Sequence, residues 1–304
     1  MKELAEAIKF KQDNRLSCFV LGGGSNILVS DGGFDGLVIK MDIHGINCIN
    51  TKAGFRVYAG AGEMWDDVVS KSVEMNAGGL ENLSLIPGTV GGAVYQNIGA
   101  YGVELKDVLA SVSAYDIETG NIIRLSNKEC GFEYRSSIFK KNKNLIILET
   151  ELLLLKNNKP NLSYPDIQKR FGGLKPTINE VRQAVIEIRR NKLPYPEEAG
   201  NAGSFFKNPV IPISNYQLLI SKFPDLKGRD LGDGSVKLSA AQLIEKCGFK
   251  GRKKGNVGVS DKHALVLVNY SNGTAKELTD LAETVKEAVE AQFSVKLEAE
   301  VEQI

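Results

Sequence analysis

The chain has 304 residues, about twice the content of one ordinary domain, so at least two cores are expected. Hydrophobic residues at 42% and charged residues at 25% match ordinary globular usage and exclude a wholly disordered, collagenous or coiled-coil chain. Lys and Arg total 38 against 37 Asp and Glu, and a formal charge of +1 gives little long-range pull on nucleic acid.

Residues 1–16 alternate charge with short apolar pairs, read as a helix from about Lys2, and hold neither an apolar signal region nor a cleavage site. Short β-rich runs at 18–21, 36–41 and 55–59 then alternate with glycine clusters. Trp65, Val68, Val69 and Val73 form one helical stripe. Residues 78–105 have few charges and too many glycines for either periodicity, and read as an ordered, functional loop region. Strands are expected at 108–117, 122–125 and 145–155, with Glu118-Thr119-Gly120 as a hairpin turn. The last of these runs is the most apolar of the chain, yet Glu149, Thr150 and Glu151 interrupt it and it is far shorter than the ~20 residues of a membrane helix.

The pattern changes at about Pro176. Thr177 and Glu180 form a capping box for a helix whose Ile178, Val181, Val185 and Ile188 share a face and which ends before Pro194. A second helix spans 239–247 and stops at Gly248; a third begins at the capping box Thr274/Glu277 and carries Leu278, Leu281, Val285 and Val289. Strands are expected at 264–268 and 295–301. Helix and strand mix without strict β-α-β repetition, so the fold class is α+β. Cys18, Cys48, Cys130 and Cys247 form no C-x-x-C pair, and with only two histidines they make no ordinary zinc cage. A reduced, metal-free, cytoplasmic protein is expected.

The 31 glycines, about a tenth of the chain against about 7% usually, mark where chemistry is to be sought. Gly22, Gly23 and Gly24 with Ser25 and Asn26 lie between two apolar runs, where successive bare amides can form a nest for a pyrophosphate. A plain glycine-rich hairpin explains the spacing equally well. The stretch is no Rossmann fingerprint, because Ile27 stands at the third glycine position and a strand follows, and the chain has no Gly-Lys dipeptide for a Walker loop. Ile86, Pro87, Gly88, Gly91 and Gly92, followed by Gln96, Asn97, Ile98, Gly99 and Ala100, combine close backbone approach with amide donors and acceptors for the edge of a flat ligand. A buried turn region is the equal alternative.

Ser204, between a glycine-rich turn and Phe205-Phe206, can pass a proton to a reacting carbon, although a lone turn serine is more often a local cap. A serine hydrolase fits poorly, with no G-x-S-x-G elbow and only His44 and His263 as bases. Arg135, among aromatics, can fork a carboxylate or make an ordinary surface ion pair. Glu300 shares one side of an alternating run with Glu298 and Glu302, and periodicity does not choose among the three.

Taken together, these segments resemble the UDP-N-acetylenolpyruvoylglucosamine reductase (MurB) family. The similar stretches include GGGSNILVSDGGFDGLVI, ENLSLIPGTVGGAVYQNIGAYGVEL, YRSSIFK, GNAGSFFKNP and DGSVKLSAAQLIEKCGFKG, in family order over nearly the whole chain. The resemblance implies an FAD-binding module of the vanillyl-alcohol-oxidase type in two subdomains, residues 1–45 and 46–176, then an α+β substrate-binding domain, residues 177–304. It implies FAD as cofactor, NADPH as co-substrate and UDP-N-acetylglucosamine-enolpyruvate as substrate, reduced to UDP-N-acetylmuramate for the bacterial cell wall. Gly22 to Asn26 would hold the FAD pyrophosphate; Ile86 to Gly92 and Asn97 to Ala100 would pack along the flavin. Arg135 and Glu300 match the catalytic pair, and Ser204 the proton donor to C2. Leu162-Ser163-Tyr164-Pro165-Asp166 is similar to a loop that covers the UDP part, which makes Tyr164, Lys192, Asn208 and His263 substrate-binding candidates. Relative to the family, an amino-terminal segment with an Asn-Thr-Phe-Gly-like stretch is expected to be missing, with loss of support beside the flavin, and the chain ends soon after Glu300. Two rival readings are an oxidase of the same fold class and a non-catalytic nucleotide-binding protein. A monomer without nucleic-acid or membrane partners is expected.

Overall fold

The computed structural model describes residues 1–156, 159–194 and 199–304. By its internal contacts the chain forms two compact units, residues 1–24 with 35–189 and residues 25–34 with 190–304. The grouping departs from the expected boundaries. Residues 35–189 stay together across position 45/46, where the Gly60 amide donates to the Gly45 carbonyl at 3.0 Å and the Gly62 amide to the Ile43 carbonyl at 2.9 Å. The helix Ile178–Lys192, expected to open a new domain, contributes its residues up to Arg189 to the first unit, where Val181 and Val185 bury against Ile167.

In the first unit, the parallel strands Cys18–Leu21 and Leu37–Lys40 form one pair. The main sheet is antiparallel and runs Ile122–Ser126, Leu109–Asp116, Leu145–Lys156, Gly54–Gly60, Ile46–Asn50, with Ala77–Gly78 added beside Leu145–Lys156. Val57, Ala59, Leu152, Leu154 and Val112 from this sheet bury with Trp65, Val68 and Val69 of the helix Trp65–Glu74, the stripe read from the sequence. Trp65 also donates its indole N–H to the Leu83 carbonyl at 2.9 Å, so its polar end is satisfied inside the core.

The region 78–105 is less irregular than its composition suggests. It contains a 3-10 turn, Glu81–Leu83, and an α-helix, Val90–Gln96. Two glycines lower helix propensity by about 1 kcal/mol each, but packing overrides propensity here. Thr89 caps the helix by accepting from the Gly92 amide, Val90, Ala93 and Val94 are buried, and a Cβ on Gly91 would lie 3.1 Å from Ala61.

In the second unit, one sheet runs Gly200–Ser204, Val266–Asn269, Val257–Val259, Lys253–Lys254, and a second runs Val210–Pro212, Ser235–Leu238, Gly228–Asp230. The helices Ala240–Lys246 and Ala275–Phe293 form where expected, the first capped by Ser239, which accepts the Gln242 amide, and the second by the Thr274/Glu277 box; Ile213–Lys222 is a further helix. Residues 295–301 alternate in burial as expected but make no regular strand. Their pairing is the single bridge Phe206–Ala299, with a short parallel pair, Glu302–Gln303 on Ile27–Leu28, beyond it. Antiparallel sheets with helices outside any β-α-β repeat agree with the α+β class. Among the described residues no helix is long and apolar enough to cross a membrane.

The interruption of the apolar run at 145–155 has a structural purpose. Glu151 is buried, and its carboxylate accepts hydrogen bonds from Tyr58, Ser111, Arg56 and Arg124. Burial pushes its pKa up, but the hydrogen bonds from Ser111, Tyr58 and Arg56 and the charge of Arg124 outweigh that and hold it below the ordinary value. Its stabilising contribution is therefore present above the unfolded carboxylate value of about 4.3 and is lost as pH falls through the lower native value. Glu151→Gln is expected to cost about 1–3 kcal/mol near neutral pH. Melting temperatures of wild type and variant should converge on acidification; parallel curves would count against the network.

Candidate functional site

The expected cofactor residues of the first unit come from two turns pressed together. A Cβ on Gly22 would lie 2.6 Å from Thr89 Oγ1, and one on Gly23 would lie 2.7 Å from Gly88 Cα. Real side chains cannot approach so closely, so bare backbone at Gly22 and Gly23 is required for the strand end at Leu21 to meet the turn at Ile86, Pro87 and Gly88. Gly24 adopts φ +71°, and Lys40 Nζ donates to the Gly22 carbonyl at 2.7 Å. Ser25 and Asn26 belong to the second unit.

Asn97 ends the helix Val90–Gln96 in the left-handed region at φ 44°. Its side chain does not serve a ligand edge, as its residue type suggests. It is fully buried, donates to Glu104 Oε2 at 3.1 Å and to the Glu133 carbonyl at 3.0 Å, and accepts the Lys106 amide at 3.1 Å. Asn97 therefore fixes the backbone that continues into Ile98, Gly99 and Ala100, the last two pairing with Val103–Glu104.

Arg135 sits in a two-bond turn between Glu133 and Ser136, itself at φ 55°. Its Nη2 donates to the Gly99 carbonyl at 2.8 Å, and its guanidinium lies 5.2 Å from the Tyr134 ring centre. A Cβ on Gly99 would come within 2.9 Å of Glu104 Cγ and 3.1 Å of Arg135 Nη1, so glycine at 99 leaves room for the arginine's approach.

In the second unit, Ser204 ends the strand Gly200–Ser204 after a bulge that includes Gly203 at φ +70°. The Glu300 amide donates to the Phe205 carbonyl at 2.8 Å, and the Lys207 amide to the Glu298 carbonyl at 2.9 Å. The bridge thus brings Glu300 beside the residue that follows Ser204, and leaves Glu298 exposed in an ion pair with Lys207. Asn26 secures the other side of Glu300: its Nδ2 donates to the Glu300 carbonyl at 3.1 Å, and its own carbonyl accepts the Glu302 amide at 3.0 Å. Periodicity left three glutamates equivalent; the pairing sets the Glu300 backbone against Phe205 and the Glu298 backbone against Lys207.

The substrate-binding candidates fall in both units. Tyr164 begins the helix Pro165–Phe171 in the first unit, its ring edge-on to Tyr101 with centres 5.1 Å apart. Burial pushes the Tyr101 phenol up to about 12. In the second unit, Asn208 Oδ1 accepts the Ala240 amide at 2.9 Å, which ties it to the start of the helix Ala240–Lys246. His263 is held below its ordinary pKa, first by burial and then by the charges of Lys192 and Lys250, so the neutral ring is favoured. His44 is an exposed partner of Asp42 and belongs to no such group.

Sequence reasoning passed over a part-buried ionic cluster at the turn 85–88. Arg182 forks Asp66 at 2.7 and 2.9 Å, Asp66 accepts the Leu85 amide at 2.6 Å, and Arg189 Nε donates to the Leu85 carbonyl at 3.1 Å. Burial pushes Asp66 up, but Arg182 and the Leu85 amide prevail and lower it. The available signal was Arg182 standing next to Val181 on the apolar face of its helix.

Residues 1–126 match the family described as FAD binding domain, and residues 195–304 that described as UDP-N-acetylenolpyruvoylglucosamine reductase, C-terminal domain. A UDP-N-acetylenolpyruvoylglucosamine reductase of Ralstonia nicotianae is 43% identical over 98% of this chain and 90% of its own length. One of Shewanella sp. is 47% identical over 92% and 82%. The solved UDP-N-acetylenolpyruvylglucosamine reductase of Thermus caldophilus matches with a TM-score of 0.66 at 25% identity, covering 98% of this chain and 89% of that one. A VAO-type flavoprotein of Myceliophthora thermophila matches at 11% identity with a TM-score of 0.54 over 95% of this chain and 67% of its own, a likeness of fold that agrees with the flavin-binding type expected.

The contact between the two turns gives a matched test. Gly23→Ala is expected to destabilise by about 1–3 kcal/mol through overpacking, whereas Gly32→Ala, with no atom within 4 Å of its Cβ, should be near neutral. Equal melting temperatures for the two variants would contradict the close approach.

Proposed function

We propose, from the premise that this chain belongs to the UDP-N-acetylenolpyruvoylglucosamine reductase family, that it reduces UDP-N-acetylglucosamine-enolpyruvate to UDP-N-acetylmuramate for peptidoglycan synthesis. FAD is the cofactor and NADPH the co-substrate. The observation that carries this reading is 43% identity sustained over 98% of the chain to a relative of that name. FAD, when bound, supplies the chemistry that takes a hydride from NADPH and gives it to C3 of the enolpyruvyl group. The residues present fit the group: the Gly22–Gly23 and Gly88–Thr89 turns admit no side chain between them and leave bare backbone to meet a phosphate or a flat ring.

In this reading Gly22, Gly23, Gly24, Ser25 and Asn26 hold the pyrophosphate, and Ile86, Pro87, Gly88, Gly91, Gly92, Ile98, Gly99 and Ala100 line the ring. Asn97 takes part through its backbone, since its side chain is committed to Glu104, Glu133 and Lys106. Ser204 delivers the proton to C2. Arg135 and Glu300 stabilise the charge that develops at C2 and its carboxylate. The reading of Ser204 and Glu300 is supported by the Glu300–Phe205 hydrogen bond, and that of Arg135 by the Gly99 carbonyl that orients its guanidinium. Tyr164 covers the UDP part, while Lys192, Asn208 and His263 contact it; a neutral His263 donates or accepts a hydrogen bond without adding charge. The enzyme works in the cytoplasm as a monomer.

A visible spectrum of the purified protein, followed anaerobically, tests the whole reading: flavin absorbance should bleach with NADPH and return with the enolpyruvyl substrate. A protein that neither carries nor takes up FAD would sink it. Ser204→Ala should leave reduction by NADPH unchanged and slow reoxidation by substrate about 10²- to 10⁴-fold; unaltered reoxidation removes Ser204 from the mechanism. Tyr164→Ala should raise the substrate concentration needed for half-maximal reoxidation with little effect on the NADPH step. Equal damage to both steps would contradict a covering role.

A further inference from the structure

Asn82 lies in the 3-10 turn Glu81–Leu83, and its side chain is 1% exposed. Its Nδ2 donates to two carbonyls from distant parts of the chain, Tyr101 at 2.8 Å and Asn161 at 2.9 Å. Its Oδ1 is buried with no hydrogen-bond partner among the described residues, so the amide's orientation is set by those two donations alone. Asn161 extends the same arrangement: its Nδ2 donates to the Gly102 carbonyl at 3.1 Å, and its Oδ1 accepts the Ser163 amide at 2.9 Å and hydroxyl at 2.7 Å. Gly102, at φ +86°, lies so close that a Cβ there would sit 3.2 Å from Ser163 Oγ. Tyr101 adopts φ 48°, and its ring packs on Tyr164, the residue after Ser163.

These contacts converge on one segment. From them we infer that Asn82 is the positioning residue of the substrate-covering loop, holding residues 161–164 against the turn at 101–102 and so fixing where Tyr164 stands. The inference rests on the covering role proposed for Tyr164. Asn82 touches no reacting group; it acts through two backbone carbonyls, which only an N–H donor can satisfy at once. The same turn leads within four residues to Ile86 and Pro87, so the chain that builds the cofactor side also orders the substrate side.

Asn82→Leu in the FAD-loaded enzyme keeps the volume and removes both donors. Hydrogen exchange of residues 159–171 is expected to quicken about tenfold, the order of one lost buried hydrogen bond, while the main sheet stays protected. The substrate concentration for half-maximal flavin reoxidation should rise about tenfold on the same basis, with the saturating rate and reduction by NADPH within about twofold. Gly102→Ala, which wedges the loop away without burying an unpaired group, should reproduce both effects and serves if Asn82→Leu does not fold. Unchanged exchange at 159–171 overturns the inference, and so does quickened exchange with unchanged substrate dependence. If Tyr164→Ala alone leaves substrate dependence unaltered, the covering role falls, while the exchange measurement still judges whether Asn82 holds the loop.

Discussion

The second unit is organised by the two hydrogen bonds at Asn26. One goes from its side chain to the Glu300 carbonyl and the other from the Glu302 amide to its carbonyl, across 274 residues of sequence in the first case. They start the parallel pairing of Ile27–Leu28 with Glu302–Gln303, which the Ser30 amide extends by donating to the Ile304 carbonyl. Asp31, a few residues on, accepts the amides of Ala275 and Lys276 and anchors the first turn of the long helix Ala275–Phe293. Each bond is worth only about 1 kcal/mol net, so their importance is geometric. With the Phe205 carbonyl on the other side, the Glu300 backbone is held at both its amide and its carbonyl.

In the first unit the equivalent constraint is backbone strain held at fixed places. Leu85, Asn97, Tyr101 and Arg135 all adopt positive φ without being glycine, at a cost of about 1–3 kcal/mol each. Each is held by a named partner or turn. Asp66 and Arg189 grip Leu85 at both its amide and its carbonyl. The Asn97 side chain is fully engaged, Asn82 takes the Tyr101 carbonyl, and the Glu133–Ser136 turn holds Arg135. Strained residues persist only where packing over-determines them, and here Leu85 precedes the turn at 86–88, Asn97 and Tyr101 flank Ile98 to Ala100, and Arg135 is itself a site candidate. The buried Arg182 and its half-buried partner Asp66 support the first of these turns rather than forming a separate site.

Helices with a local signal were legible in the sequence: an apolar stripe marks Trp65–Glu74, a capping box with a stripe marks Ile178–Lys192 and Ala275–Phe293, and the Gly248 stop marks Ala240–Lys246, and all four appear where expected. The helix Val90–Gln96 was not, because its glycines disfavour helix in isolation and only burial beside Ala61 makes them useful. The run at 295–301 shows the reverse. Its alternation is real, yet a ladder needs a neighbour of matching length, and among the described residues the run pairs through the single bridge Phe206–Ala299.

For the site, residue types and spacing offered Gly22–Asn26, the turn at 86–92, Arg135 and Ser204 as groups able to meet a phosphate, a flat ligand, a carboxylate or a proton acceptor, each beside an ordinary structural alternative; the tyrosine loop was offered by the family resemblance alone. Spacing did not reveal that the Asn97 side chain is used up internally, that the Asn82 side chain donates to the Asn161 carbonyl, or that the Glu300 amide pairs with the residue after Ser204. Those facts depend on hydrogen bonds between residues far apart in the chain. A single sequence records which groups are present; which of them remain available for chemistry was decided only when tertiary packing consumed the rest.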